Sequence, residues 1–392
     1  MKKICSLLII FSTINATAQM NQGKILTKNS YLEIPFTETK TEIHTKANLK
    51  GDDLDFMLDT GAPTFISTEL QEKYKFPTVY KGKTEDASGN KVKTQIVIID
   101  TIKFGPFIFT GIPAVVIDMK KSPLECLNLP GNIGSNILRH LYVQFDIANH
   151  RVAFADSKAL LKNQAPDTKP MLINGQSDVF FSVKLNDNIT DTIHYDSGDG
   201  QLYSISKRAM GNYVAAYPEE VIRNGYGTMF MGIGGAGESF PQYVAKPGSI
   251  KIGRYNLTGG AVTIAGNDRS RMGRDLLNYG LLQLNYPDST YSFESYSSPA
   301  IPAHFDFGFH PVIDGDDIVV GCVWKNTLAE KGGIQSGDQL LKVDDIDLTV
   351  ATKCDATTAA RNINKIEKNT ITVTFRHKKQ KPQTVTLERK PL

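Results

Sequence analysis

The sequence predicts a mainly β protein that contains two similar lobes and a smaller third domain. Three observations predict this fold class: 18 prolines and 32 glycines mark frequent turns, short apolar runs lie between them, and an internal repeat covers much of the chain. With 22% charged and 41% hydrophobic residues, the 392-residue chain is neither disordered nor a coiled coil. A formal net charge of +3 without a concentrated basic face argues against nucleic-acid binding.

Residues 1–18 are predicted to be a signal peptide. Lys2 and Lys3 precede an apolar run that is too short to span a bilayer, and a small-residue cleavage site ends at Ala18. The alternative is that this segment forms a buried first strand or helix. Such an element would not need a charged start, an apolar run and a cleavage site in this order. Because no later segment reaches 18 uninterrupted apolar residues, we expect no membrane span and a periplasmic or extracellular protein.

An Asp-[Thr/Ser]-Gly motif occurs twice, each time after an apolar strand and before a second short strand. The copies comprise Asp59, Thr60, Gly61 and Ala62 in the first half, and Asp196, Ser197 and Gly198 in the second. A further glycine, followed by apolar residues, lies 75 residues after the first aspartate (59 to 134) and 77 after the second (196 to 273). A lone motif this loose arises by chance, but its repeated context does not.

The repeat defines the domain organisation. Residues 25–157 form the first lobe, residues 158–170 a polar linker, and residues 171–296 the second lobe. After a second linker that is rich in proline and serine, residues 303–392 remain as a separate domain. In each lobe we expect many short strands and one short helix after the downstream glycine.

Both lobes, roughly 270 residues, resemble retropepsin-like aspartic peptidases in the two-lobed single-chain arrangement that pepsins also use. The resemblance implies that Asp59 and Asp196 meet at a pseudo-twofold axis as a catalytic dyad. Two carboxylates a few ångströms apart share one proton, because they cannot both ionise cheaply. The ionised group activates a water that attacks a peptide carbonyl, and the protonated group stabilises the developing charge. Together with the predicted signal peptide, the resemblance implies an exported aspartic endopeptidase.

The neighbours of the dyad take supporting roles by the same resemblance. Thr60 and Ser197 supply hydroxyls that cross-brace the two loops, and Ala62 is the small residue expected after the first motif. Gly61 and Gly198 let the backbone turn tightly and bring N–H groups to the carboxylates.

The second lobe departs from the family pattern at Asp199, where Ala, Ser or Thr is usual. A third carboxylate raises the pKa values nearby or disrupts the dyad if it points inward, whereas Gly200 allows it to turn outward. The alternative function is therefore a catalytically degenerate, peptide-binding protein of the cell envelope.

Two hairpins are expected to cover the dyad as flaps. Ser88 and Gly89 lie in the first-lobe hairpin, and Gly234 and Gly235 in the second. Glycine suits a lid that bends and approaches a peptide backbone, although an ordinary mobile hairpin is the alternative. The second hairpin also fits the G-x-G-x-x-G nucleotide pattern, but Pro241 interrupts the helix that such a site needs, so we expect no cofactor.

The C-terminal domain resembles a PDZ domain of the bacterial, protease-associated kind. The resemblance rests on residues 328–344, LAEKGGIQSGDQLLKVD. It implies that Phe307, Gly308 and Phe309 form the loop whose N–H groups bind a peptide's terminal carboxylate, and that the following strand pairs with the peptide. A glycine between two phenylalanines is also common at a strand bend.

Three cysteines remain after the predicted signal peptide: Cys126, Cys322 and Cys354. An odd count forbids complete pairing within one chain. Cys322 and Cys354 can form a disulfide, but we expect buried free thiols. The seven histidines lack metal-ligand spacing, so we expect no metal, and we expect a monomer that binds a peptide or protein substrate and a PDZ ligand peptide.

Overall fold

The computed structural model describes residues 20–36, 42–86, 89–162, 167–232, 235–258, 262–264, 269–296, 305–315, 317–349, 352–363 and 366–391. The predicted fold class is confirmed, since strands dominate all three parts of the chain. The predicted signal peptide, Ser88 and Gly234 lie outside the described residues. Within those residues, no helix has the length and apolar character needed to cross a bilayer.

In its described residues, the first lobe has eleven strands and two α-helices. The strands are β1 (Lys24–Ile25), β2 (Tyr31–Pro35), β3 (His44–Leu49), β4 (Asp52–Leu58), β5 (Phe65–Ser67), β6 (Thr78–Glu85), β7 (Lys91–Phe104), β8 (Phe107–Ile117), β9 (Asn132–Ile133), β10 (Tyr142–Asp146) and β11 (Arg151–Ala155). The helices are α1 (Thr68–Tyr74) and α2 (Ser135–Leu138), and the 3₁₀ helices are Met119–Lys121, Pro123–Leu127, Ile147–Asn149 and Lys158–Leu160.

The second lobe repeats this plan, and the part of it that the structure describes has fifteen strands, some of them short. They are β12 (Lys169–Pro170), β13 (Leu172–Ile173), β14 (Val179–Leu185), β15 (Ile189–Asp196), β16 (Tyr203–Ile205), β17 (Val221–Gly227), β18 (Met231–Gly232), β19 (Gly235–Ala236), β20 (Phe240–Ala245), β21 (Ile250–Ile252), β22 (Tyr255–Leu257), β23 (Val262–Ile264), β24 (Ser270–Gly273), β25 (Gly280–Asn285) and β26 (Thr290–Ser295). The helices are α3 (Lys207–Ala216) and the 3₁₀ helices Pro218–Glu220 and Arg274–Asn278. The helix expected after Gly273 is thus a 3₁₀ helix.

The C-terminal domain has its own apolar core, separate from the core that runs through both lobes. Its strands are β27 (Phe305–Asp306), β28 (Phe309–Asp314), β29 (Asp317–Trp324), β30 (Gln339–Val343), β31 (Ile346–Asp347), β32 (Thr370–Arg376), β33 (Gln383–Glu388) and β34 (Lys390–Pro391). Its helices are α4 (Leu328–Lys331) and α5 (Lys353–Ile363).

The repeat extends to the way each lobe starts its first long helix. The side chain of Ser67 accepts a hydrogen bond from the backbone N–H of Leu70 at the start of α1. Ser206 does the same with Ala209 at the start of α3. Serine at this position satisfies an N–H group that has no partner within the helix. The two helices therefore begin with equivalent caps.

The two lobes join through a six-stranded sheet with the order β12-β26-β25-β10-β11-β2. Its central strands, β10 and β25, are equivalent in the repeat and pair antiparallel, with Gln144 opposite Gln283. Both side chains are buried, and the amide of Gln144 donates to that of Gln283 at 3.2 Å. Because β10 pairs with its equivalent strand β25 at a matched residue, the pseudo-twofold axis passes between Gln144 and Gln283.

A parallel strand pair supports each aspartate. In the first lobe β4 pairs with β9, and in the second β15 pairs with β24. Asp196 lies opposite Gly273 in the second pair, and Asp59 donates its backbone N–H to the carbonyl of Ile133 in the first. Because each pair joins the strand before the motif to the strand that leads into the downstream glycine, the two aspartates occupy equivalent positions.

The expectation of buried free thiols is wrong for two of the three cysteines. Cys126, in the first lobe, and Cys354, on α5, form a disulfide with a Cα–Cα distance of 5.0 Å. Cys322 is buried and unpaired. The two cysteines are 228 residues apart in the sequence. Their pairing depends on how the C-terminal domain packs against the first lobe, which the sequence alone does not predict.

Candidate active site

Asp59 and Asp196 face each other across the boundary between the lobes. Their carboxyl groups are within hydrogen-bonding reach of each other, and Asp59 is buried. The glycines of the two motifs lie just as close: a Cβ atom added to Gly61 would be 2.1 Å from Cγ of Asp196, and one on Gly198 would be 3.0 Å from Cγ of Asp59. The sequence-predicted dyad is therefore assembled.

The hydroxyls of Thr60 and Ser197 cross-brace the two loops. The backbone N–H of Thr60 donates to Oγ of Ser197 at 3.0 Å, and the N–H of Ser197 donates to Oγ1 of Thr60 at 2.9 Å. Each hydroxyl then donates to a backbone carbonyl of the other lobe, on Tyr195 and Leu58, at 3.2 and 3.3 Å. Both residues are fully buried, so these four bonds hold the dyad spacing in a region without water competition.

Backbone N–H groups orient the carboxylates. Gly61 donates to Oδ1 of Asp59 at 2.8 Å, and Gly198 donates to Oδ1 of Asp196 at 2.9 Å. The second carboxylate receives one more N–H, from Asp199 at 3.2 Å. Each aspartate thus keeps Oδ2 available for the partner carboxyl or a ligand.

The downstream glycines pack directly behind the motifs. A Cβ atom on Gly134 would lie 2.2 Å from the backbone nitrogen of Thr64, and one on Gly273 would lie 2.4 Å from the carbonyl oxygen of Asp199. The residue after each glycine donates its N–H to the carbonyl of the residue that follows the motif, at 2.8 and 2.7 Å. Only glycine fits this close approach, which explains why the repeat includes it.

The electrostatics of the dyad favour one shared proton. Burial and the charge of Asp196 raise the pKa of Asp59 well above its ordinary value, whereas the N–H of Gly61 lowers it. Two carboxyl groups this close cannot both ionise cheaply, so the protonated form of Asp59 is favoured. The site is therefore suited to hold one carboxyl and one carboxylate together.

Asp199 turns toward its own loop. Its Oδ1 accepts the backbone N–H of Gln201 at 2.9 Å. Burial of the carboxyl and the charge of Asp196 raise the pKa of Asp199 to about 6, while the Gln201 N–H and the guanidinium groups of Arg271 and Arg274 lower it. The third carboxylate is thus held by a backbone bond and partly balanced by two arginines.

We did not identify Arg274 from the sequence. Its guanidinium donates to the carbonyl of Ser197 at 3.3 Å, and it lies 3.6 Å from the position that a Cβ atom on Gly200 would take. In the first lobe the equivalent residue is Ser135. The sequence does contain a signal for the pair of Asp199 and Arg274. Where the first lobe has Ala62 and Ser135, the second lobe has an acidic and a basic residue.

Replacing Asp199 by Asn is expected to stabilise the protein at neutral pH. The pKa of Asp199 is about 6 in the fold and 3.8 in the unfolded chain, so its contribution to stability is fully present below about 3.8 and is lost as the pH rises through about 6. Asn does not ionise and keeps the oxygen that accepts from Gln201. We expect the Asp199→Asn melting temperature to exceed that of the parent by roughly 2–5 °C near pH 7.5.

The same melting curves recorded near pH 3.5 should show little difference, since Asp199 is then protonated in the fold and mostly protonated in the unfolded chain. Asp55→Asn, an exposed position on β4, is the matched control and should change neither curve. Equal melting temperatures for Asp199→Asn and its parent at both pH values would contradict the raised pKa.

The predicted flaps are hairpins whose tips meet. β6 and β7 form the first flap, and Gly89 lies in its turn with a φ of +82°. β17 and β20 form the second, with Gly235 at its tip. The side-chain amide of Asn90 is 3.3 Å from the carbonyl oxygens of Gly235 and Ala236. The two tips therefore contact each other.

Gly308 lies in the predicted carboxylate-binding loop with a φ of +91°. Its N–H donates to Oδ1 of Asp306 at 3.0 Å, and its carbonyl accepts the N–H of Trp324 at 3.0 Å. Phe307 and Phe309 are buried in the core of the C-terminal domain. An internal carboxylate thus occupies one of the donors that the resemblance assigned to a peptide terminus, a feature that the sequence analysis missed.

The duplicated lobes, the paired aspartates and the flaps define the architecture of an aspartyl protease. Comparison with protein families agrees: residues 45–137 match the aspartyl protease family, and residues 300–375 match the PDZ domain family. The chain therefore carries a retropepsin-like aspartyl protease domain followed by a PDZ domain.

Two solved plant proteins are similar to this chain. Conglutin gamma, a basic 7S globulin from lupine seeds, is 10% identical over 69% of this chain and 96% of its own, with a TM-score of 0.40. Basic 7S globulin from soybean is 11% identical over 69% of this chain and 95% of its own, with a TM-score of 0.37. No curated protein matches the sequence.

Proposed function

We propose that this protein is an aspartic endopeptidase that hydrolyses peptide bonds with a water activated by Asp59 and Asp196. The observation that carries the proposal is the dyad itself, with both carboxyl groups within mutual reach and each held by a motif glycine. Thr60 and Ser197 support it, because their buried bonds fix the spacing that a shared proton needs.

The reaction follows from the shared proton. The ionised carboxyl takes a proton from a water molecule as the water oxygen attacks the carbonyl carbon of a peptide. The protonated carboxyl donates to the carbonyl oxygen, where negative charge develops. Collapse of the tetrahedral intermediate breaks the C–N bond, and the amine leaves with the proton that the first carboxyl took from water. One hydroxyl of the intermediate returns its proton to the other carboxyl, so the dyad regains its single proton and no covalent enzyme intermediate forms. The product is a carboxylic acid, which ionises to a carboxylate in solution.

The degenerate, peptide-binding alternative rests on Asp199. Its side chain accepts from Gln201 rather than lying as a free third charge beside the dyad. Arg271 and Arg274 favour its ionised form, while burial and the charge of Asp196 oppose it. A carboxylate accommodated in this way supports the catalytic function over the degenerate one.

Substrate and location are also proposals. Two flap hairpins in one chain with a paired-aspartate site suit an extended polypeptide substrate, and the PDZ domain supports a peptide or protein partner. The Cys126–Cys354 disulfide supports export to a periplasmic or extracellular location, since disulfides persist in oxidising compartments. We propose that the protein acts there as a monomer, because one chain supplies both aspartates.

The test is cleavage of an unfolded, disulfide-free polypeptide in water labelled with oxygen-18. Mass spectrometry of the products over roughly pH 4 to pH 7 identifies each new C-terminus and its label. We expect cleavage that is stronger on the acidic side, with label in each new carboxylate. Saturable binding of the polypeptide without any product would favour the degenerate alternative.

A further inference from the structure

The second flap and the PDZ domain share one β-sheet. Strand β17 of the flap pairs antiparallel with β29 of the PDZ domain, from Gly225 opposite Trp324 to Gly227 opposite Cys322. Two more backbone bonds extend this pairing, from Thr228 N–H to Gly321 and from Lys325 N–H to Asn224, both at 2.8 Å. We call residues 224–228 and 321–325 together the flap seam.

Glycines let the two backbones of the flap seam approach. A Cβ atom on Gly227 would lie 1.9 Å from the carbonyl oxygen of Gly321, and one on Gly225 would lie 2.3 Å from that of Val323. Gly227 also has a φ of +142°, which side chains rarely adopt. The sequence of the flap is therefore adapted to a close backbone neighbour.

Apolar packing reinforces the flap seam. Val244 of strand β20 is buried in one cluster with Cys322 and Trp324 of β29. Ile222 and Met229, from the flap on either side of the pairing, pack against the same cluster. Because burial of such side chains opposes separation, this packing holds the flap against the PDZ domain.

The PDZ domain is also tied to the opposite lobe. Cys354 lies on helix α5, which packs against the 3₁₀ helix Pro123–Leu127 that contains Cys126. The disulfide therefore links the first lobe to the domain that carries the second flap. The two flaps also contact each other directly at their tips, where Asn90 contacts Gly235 and Ala236.

We propose that the PDZ domain is a redox-controlled strap that holds the two flaps together, and this proposal rests on the proposed function for its effect on activity. While Cys126 and Cys354 are joined, the second flap cannot leave the first lobe without breaking the flap seam. A dithiol reductant converts the disulfide to two thiols and is itself oxidised to a disulfide. The PDZ domain and its flap are then free to swing away together and admit a polypeptide.

Hydrogen–deuterium exchange of the flap amides tests the strap without needing activity. We compare the oxidised chain, the chain treated with a dithiol, and the Cys126→Ser/Cys354→Ser variant without reductant. Amides of residues 89–91 and 235–237, which lie at the contact between the flap tips, should exchange about tenfold faster in the last two samples, because the tips separate and are exposed to water.

A second variant tests the flap seam with the disulfide intact. Gly227→Val forces the strands apart, so residues 221–232 should exchange faster even in the oxidised chain. The matched control is Gly211→Ala on α3, where nothing lies within 4 Å of the added Cβ atom, and it should behave like the parent. Equal flap exchange in oxidised, reduced and serine-substituted chains would overturn the strap.

Peptide cleavage measured on the same samples separates the two proposals. Faster flap exchange on reduction without any cleavage supports the strap and contradicts the proposed peptidase function. Cleavage at one rate in all samples, with unchanged exchange, overturns the strap and leaves the peptidase function standing. Faster exchange together with faster cleavage supports both.

Discussion

Asp59→Asn and Asp196→Asn should each reduce peptide cleavage by about 10²–10⁴-fold, the range that general acid–base catalysis contributes. An amide neither takes a proton from water nor shares one with its partner, so either substitution removes the single-proton state of the dyad. The measurement is the initial rate of peptide cleavage at the pH optimum of the parent. Because both motifs are in one chain, neither variant should be rescued by mixing it with the other.

Melting temperatures distinguish lost chemistry from lost folding in these variants. Burial and Asp196 raise the pKa of Asp59, so ionisation of Asp59 weakens the fold as the pH rises through its folded pKa. Asp59→Asn should therefore be at least as stable as the parent at neutral pH. Asp55→Asn, four residues earlier on β4, should keep full activity. Substantial cleavage by Asp196→Asn alone would show that Asp196 is not the partner of Asp59.

Much of the site is predictable from the sequence because its signals are local and duplicated. The two motifs specify which carboxylates meet, and the downstream glycines at 134 and 273 follow from the steric demand behind each motif. The central strands of the interlobe sheet are also repeated, so Gln144 and Gln283 belong to matched segments. Periodicity and repetition thus determine the lobes and the dyad.

The remaining features depend on contacts between distant parts of the chain. The Cys126–Cys354 disulfide and the flap seam both require the position of the PDZ domain relative to the lobes. A partial signal exists in the isolated glycines of a strand-like segment, Gly225 and Gly227, which indicate a close backbone neighbour without naming it. Asp306, inside the PDZ loop, requires the local fold before its bond to Gly308 is evident.

The two motif glycines should differ in their tolerance of alanine, although they are equivalent in the repeat. A Cβ atom at Gly61 would lie 2.1 Å from Cγ of Asp196, so the carboxyl must leave the position in which Gly198 holds it. At Gly198 the added atom would lie 3.0 Å from Cγ of Asp59, which a small shift relieves. We expect Gly61→Ala to lose about 100-fold or more in cleavage rate, the effect of misplacing a catalytic group by about 1 Å.

Gly198→Ala should lose only about tenfold by the same reasoning, since its clash is smaller. Initial rates and melting temperatures of both variants, with Gly211→Ala as the control, provide the measurement. A fall in rate for Gly61→Ala without a matching loss of stability locates the damage in the dyad. Equal rates for the two variants would show that the carboxyl groups adjust freely to the added methyl group. We expect unequal rates, because the cross-lobe bonds of Thr60 and Ser197 hold the two loops at a fixed separation.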